Sequence, residues 1–284
     1  MRLENIGKWK VFALESGFFK LDGGAMMGSV PKVLWEKENP SDEFNRINLS
    51  MRCLLVDDGE NVVIVETGIG NKNSDKFIEM FSIDHSEFTL SNTLSVHGYS
   101  YKDITHVILT HLHFDHSGGA LYYDADNMLK PTFPNAVYYI SERNWLAAIE
   151  SSSRDKASYL NLNYQLLEDH NLLSFVPDNS EILEGVSTYT VNGHTNGQQL
   201  IKIHDNEKTL VFCSDLIPLK SHLKLPWIMG YDLNAALTLN EKKIFLDKAC
   251  NHNWLLFFYH DPHYVAVRIK KGAKYYDIID EYKR

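Results

Sequence analysis

The chain has 284 residues, 44% hydrophobic and 23% charged, with a formal net charge of -9. That length can bury a sizeable core, and the acidic balance argues against a nucleic-acid partner, which needs clustered Lys and Arg. Cys53, Cys213 and Cys250 form no close pair, no N-terminal apolar region reads as a signal peptide, and no apolar run could span a bilayer. A reducing, cytoplasmic setting without membrane contact is therefore expected.

In chain order, Trp9–Leu14 reads as a first strand. Asn48–Val56 and Asn61–Glu66 flank Asp57-Asp58-Gly59-Glu60, a hairpin signal. Between them Leu21–Pro40, punctuated by Gly23, Gly24, Gly28 and Pro31, reads as a long loop. Ser74–Phe81 suits a short helix. Ile104–Leu109 is a continuous apolar run, the mark of a strand buried on both faces. Val137–Ile140 is a strand, followed by a helix over Ser141–Glu150 with Ser141 as its cap. Arg154–Leu173 fits a helix or a lid over a site.

The second half repeats the rhythm. Thr188–Val191, Gln199–Ile203 and Thr209–Phe212 read as strands. Thr238–Cys250 reads as a helix opened by a Thr238/Glu241 capping box. Trp254–Tyr259 and Val265–Ile269 are strands, and Ala273–Tyr282 is expected to close the chain as a helix. Two halves with helices outside two facing sheets, and no linker between them, predict one α/β domain over residues 1–284.

The chemistry is concentrated in Thr110-His111-Leu112-His113-Phe114-Asp115-His116-Ser117-Gly118-Gly119, directly after a buried strand. On an extended chain His111 and His113 face the same way and can clamp one ion. A turn would let Asp115 and His116 face a second position. Imidazole with carboxylate suits zinc and its neighbours manganese, iron and cobalt. His194, in Gly193-His194-Thr195-Asn196-Gly197, Asp215, after Val211–Ser214, and His260, after Leu255–Tyr259, stand at further strand ends.

The order HLHFDH, GHTNGQ, Ser214-Asp215 and a strand-borne His260 resembles the metallo-β-lactamase superfamily over nearly the whole chain. Glu66-Thr67-Gly68 resembles that group's Asp-Thr-Gly turn, with Glu for Asp. The resemblance implies an αβ/βα four-layer sandwich of two mixed sheets with two divalent metals at one edge. It gives the first metal His111, His113 and His194, the second Asp115, His116 and His260, and makes Asp215 the bridge. Glu66 would orient a ligand or the backbone. The chemistry implied is a metal-bridging hydroxide attacking the substrate.

Within the superfamily the chain resembles the N-acyl homoserine lactonase and organophosphate hydrolase-like branch. Leu21–Trp35 and Pro226–Asp232 look like the loops bordering that branch's site. Met26, Met27, Trp35, Trp227 and Met229 would then form an apolar pocket for an acyl or aryl group. Asp115 and Tyr231 are the catalytic candidates, Tyr231 as a phenol bonding the substrate oxygen. The expected activity is hydrolysis of a small ester, lactone or phosphotriester. The alternatives are a mononuclear-iron oxidoreductase of the persulfide dioxygenase type and a phosphodiesterase or nuclease of the same superfamily. His222 and His263 stay outside the ligand set.

Overall fold

The computed structural model describes Met1–Arg284. Its strands, in chain order, are β1 (Lys10–Asp22), β2 (Arg46–Asp57), β3 (Val62–Val65), β4 (His106–Ile108), β5 (Leu121–Tyr123), β6 (Leu129–Pro131), β7 (Val137–Ser141), β8 (Leu173–Val176), β9 (Glu181–Leu183), β10 (Val186–Val191), β11 (Gln198–His204), β12 (Thr209–Phe212), β13 (Leu255–Phe257), β14 (Tyr264–Lys271) and β15 (Tyr276–Lys283). They form a six-stranded sheet in the order β1-β2-β3-β4-β7-β8, a seven-stranded sheet in the order β15-β14-β13-β12-β11-β10-β9, and a small β5-β6 hairpin. Both large sheets are mixed: β2 and β3 pair antiparallel, β3 and β4 parallel, β11 and β12 antiparallel, β12 and β13 parallel.

The strands read as near-continuous apolar runs because both faces are covered. Alternate residues sort between layers. Val11, Ala13, Leu54, Val56, Val63 and Val65 meet Ile201, Ile203, Leu210, Phe212, Leu255 and Phe257 between the sheets. The intervening Leu14, Leu55, Ile64 and Val107 face outward, in one cluster with Leu90, Leu94 and Trp145. On the far side Val211, Leu256 and Val267 cluster with Phe245, Leu246 and Ala249 of the helix Ala235–Asn251. Helix, sheet, sheet and helix layers result, the sandwich expected.

Arg52, fully buried on β2, ties the sheets together. Its Nε donates to Glu15 Oε1 at 2.5 Å, and its Nη1 donates to the carbonyls of Phe258 and Tyr264 at 3.1 and 3.0 Å. The backbone N–H groups of Ser50 and Arg52 donate to the carbonyls of His260 and Tyr259 at 2.9 and 3.1 Å.

Three local expectations change. Ala273–Tyr282 is not a helix: β15 pairs antiparallel with β14. Tyr275, Ile278, Ile279 and Tyr282 recur at helical spacing, but Tyr and Ile also favour strands, and β14 offers a free edge to pair with. The helix expected from Thr238 begins at Ala235, capped by Asn234, whose side chain accepts from Leu237 N at 3.0 Å. Glu241 is spent elsewhere, accepting from the N–H groups of Asn192 and Gly193 at 2.9 and 3.0 Å. The Leu21–Pro40 stretch is not one loop but holds two short helices, Gly23–Met27 and Lys32–Trp35.

Candidate metal centre

The chain leaves β4 through Thr110 and brings His111 Nε2 to 3.0 Å from His113 Nδ1. A one-turn helix, Phe114–Ser117, then carries Asp115 and His116. Thr67 anchors that turn, its N–H donating to His116 O at 3.0 Å. Gly119 lies so close beneath that a Cβ there would meet Thr67 O at 2.1 Å. Opposite, the second sheet delivers His194 after β10, Asp215 in the turn Ser214–Leu216 after β12, and His260 after β13.

All seven predicted ligand positions converge, in two groups. His194 Nε2 lies 3.2 Å from both His113 Nδ1 and Asp215 Oδ2, and His111 Nε2 lies 3.9 Å from the same oxygen. On the other side Asp215 Oδ1 lies 3.4 Å from His116 Nε2 and 3.3 Å from His260 Nε2. Asp115 Oδ2 lies 3.7 and 3.5 Å from those same nitrogens. Asp215 thus turns one oxygen to each group.

The far nitrogen of three of the imidazoles is hydrogen-bonded, and that of a fourth, His116, lies beside a carboxylate without a hydrogen bond. His111 Nδ1 meets Thr110 Oγ1 at 3.0 Å, His116 Nδ1 lies 3.3 Å from Glu66 Oε1, His194 Nδ1 lies 2.8 Å from Asp232 Oδ1, and His260 Nδ1 meets Ser50 O at 3.0 Å. Such partners fix ring orientation and tautomer. Glu66 also accepts from Thr110 N–H at 3.2 Å. Two non-glycine residues here sit at positive φ, Glu66 at 68° and Ser214 at 44°. Strain of this kind persists where the surroundings over-determine the backbone, as at functional sites.

The donor set fits cations. Buried polar atoms are ordinarily hydrogen-bonded, yet His116 Nε2 and Asp215 Oδ1, both turned into the cluster, have no partner. Burial and then neighbouring imidazoles hold His111 and His113 well below the usual histidine range, leaving both neutral and able to donate lone pairs. Burial, the largest influence on Asp215, opposes its ionisation, but His116, His260 and His194 together hold its carboxyl well below the usual range. The ligand atoms of His111, His113, His194 and Asp215, and those of Asp115, His116 and His260, lie within 4.8 Å of one another in each group.

The cluster opens into a cleft of about 430 Å³ lined on its apolar side by Leu21, Met26, Phe81, Phe114 and Met229, with Tyr231 beside them. Burial, and after it the charges of Asp22 and Asp115, push the Tyr231 phenol up to about 12, so it remains a donor at neutral pH. Of the expected pocket residues, Met26 and Met229 line the cleft. Met27, Trp35 and Trp227 are instead in the core between the sheets. Trp35 is seated where a Cβ on Gly23 would meet it at 2.5 Å. His222 is buried, its Nε2 3.0 Å from Met26 O. Part of the expected lid reaches the site: Arg154, Asp155, Ala157 and Ser158 line the cleft, and Tyr159 sets its ring 4.9 Å from that of His113. The sequence reading missed Asp232 and Arg154; a lone Asp in an apolar loop was the one available signal.

A strand-edge cluster of this make-up in a four-layer αβ/βα sandwich defines a metallo-hydrolase. The chain belongs to the metallo-beta-lactamase superfamily, whose family model matches residues 51–260. It is 26% identical over 243 residues to an N-acyl homoserine lactonase of Bacillus cereus, covering 81% of this chain and 86% of that protein. A probable metal-dependent hydrolase from Staphylococcus aureus superposes with a TM-score of 0.90 at 29% identity, over 99% of each chain. The dizinc quorum-quenching lactonase AidC, solved with a product, shares the fold at a TM-score of 0.81 and 23% identity, over 99% of this chain and 97% of that one. No helix is long and apolar enough to cross a membrane.

Proposed function

We propose that the protein hydrolyses a small ester, lactone or phosphotriester with an apolar acyl or aryl part, using two divalent ions, zinc first among the candidates. The observation that carries this is Asp215, with one oxygen toward each ligand group at the floor of a half-apolar cleft. His111, His113 and His194 would hold the first ion, and Asp115, His116 and His260 the second, with Asp215 shared. When bound, such ions supply Lewis-acid polarisation of a carbonyl or phosphoryl oxygen and activation of water at neutral pH.

The chain's own residues do the rest. Asp232, Glu66, Thr110 and the Ser50 carbonyl hold the imidazoles in place. Leu21, Met26, Phe81, Phe114 and Met229 take up the apolar part and exclude water from it. The Tyr231 hydroxyl, protonated at neutral pH, donates a hydrogen bond to the substrate oxygen. The lactonase relatives support a lactone-type bond. The complete Asp115–His116–His260 group speaks against a single-iron oxidoreductase.

The test is metal analysis with turnover of a panel of lactones, aryl esters and phosphotriesters by the purified protein. Two ions per chain and hydrolysis of at least one class are expected, with Asp215→Ala losing both. Fewer than two ions at saturation and no turnover across the panel would overturn the reading.

A further inference from the structure

Ser151–Tyr159 belongs to no sheet, yet it joins the two walls of the cleft. At one end the Tyr159 hydroxyl lies 2.5 Å from Thr195 Oγ1, next to His194. At the other, Arg154 sends Nη2 to the carbonyls of Gly230 and Asp232, at 2.6 and 3.4 Å. Those two carbonyls flank Tyr231, so the guanidinium straddles the residue that carries the phenol. The Asp232 carboxylate beyond it holds His194 Nδ1 at 2.8 Å.

The loop is held elsewhere by burial of Met229 and Asp232 and by three backbone bonds. Gly230 N–H donates to Ala25 O at 2.7 Å, Asp232 N–H to Met229 O at 3.3 Å and Leu233 N–H to His194 O at 3.1 Å. Tyr231 itself is 38% exposed. A cationic donor shared between two carbonyls is stronger than a neutral hydrogen bond and, being planar, fixes direction as well. Both bonds leave the single nitrogen Nη2, whose two protons are held in the guanidinium plane; a Lys ammonium would offer freely rotating protons from a side chain of different length.

We propose that Arg154 is a positioning residue for the hydrolysis assigned above: it locks Met229–Asp232 so that the Tyr231 phenol faces the cleft. The proposal rests on the ester-hydrolase reading for its kinetic consequence, but not for its structural one.

The experiment has two arms, run on the metal-loaded protein. In the kinetic arm, Arg154→Met should lower kcat/KM on an aryl ester about tenfold, with metal content unchanged, and Arg154→Lys should fall between. In a Tyr231→Phe background the same Arg154→Met change should cost less than about twofold, because its effect runs through the phenol. Equal losses in both backgrounds overturn the proposal. In the second arm, amide hydrogen exchange at residues 230–233 should speed up at least about tenfold in Arg154→Met, while β2 is unchanged. Unchanged exchange at 230–233 also overturns it, and if Arg154→Met does not fold, Arg154→Lys is read in the same way. Should the wild-type protein hydrolyse no ester, the ester reading falls and the exchange arm alone decides the role of Arg154.

Discussion

Glu66 Oε1 lies 3.3 Å from His116 Nδ1, and the same oxygen accepts from Thr110 N–H at 3.2 Å. One carboxylate thereby aligns the turn that carries His111 and a ring of the second ligand group. Removing such a support typically weakens metal binding about 10–100-fold. Glu66→Gln and Glu66→Ala should each show that loss for the more weakly held ion, read by competition with a chromogenic chelator. Glu66→Asp should show it in part, because a side chain one methylene shorter reaches less far from the same backbone. Wild-type affinity in all three variants would mean that Glu66 serves the fold only.

Stripping the metal should cost stability without unfolding the chain. An ion bound only by the folded state at 100 times its dissociation constant adds about 2.7 kcal/mol. For a chain of 284 residues, with about 2.1 cal/mol/K of unfolding entropy per residue, that is a fall in Tm of roughly 4–5 °C per ion removed. Differential scanning calorimetry before and after dialysis against a chelator measures it, and added zinc should restore the original value. An apoprotein melting at the holoprotein temperature would contradict the ligand assignment.

Gly28 lies at φ 57°, and a Cβ there would meet Ile228 O at 2.2 Å. The two loops bordering the cleft touch at this point. Gly28→Ala combines a left-handed backbone with a backbone clash, so a destabilisation of about 2–4 kcal/mol is expected. Urea denaturation is the measurement, and a change below about 0.5 kcal/mol would show that the loops separate freely.

Lys242 is buried, with Nζ donating to Trp227 O at 2.5 Å and Lys224 O at 3.2 Å. Burial lowers its pKa to about 7, against the opposing charge of Asp232. An unfolded chain keeps that proton up to about 10.4. Between these values the unfolded state binds more protons, so this group makes stability rise with pH across the window. Urea midpoints at pH 7 and pH 9 should therefore move in favour of the wild type over Lys242→Met. Parallel movement of the two proteins would exclude this titration.

What was legible in the sequence was whatever repeats with a short period or stands at a strand end. His111 and His113 share a side because they are two apart, Asp215 and His260 each follow an apolar run, and His194 follows a strand and a glycine. The layers were legible because strands buried on both faces leave unbroken Val, Ile and Leu. Contacts that cross the molecule left no trace. Arg154 reaches a carbonyl 76 positions away, and Glu241 caps a loop some 50 residues before it rather than its own helix. Tyr275–Tyr282 satisfies helix and strand periods alike, and only the open edge of β14 decides between them.

Arg52 gives the sandwich a clamp of its own at the rim where the ligands gather, through Glu15 on one sheet and two carbonyls on the other. None of these partners is a ligand side chain, so the docking of the two sheets at this rim is wired separately from the cluster, and a substitution at a ligand position leaves the clamp's own bonds in place.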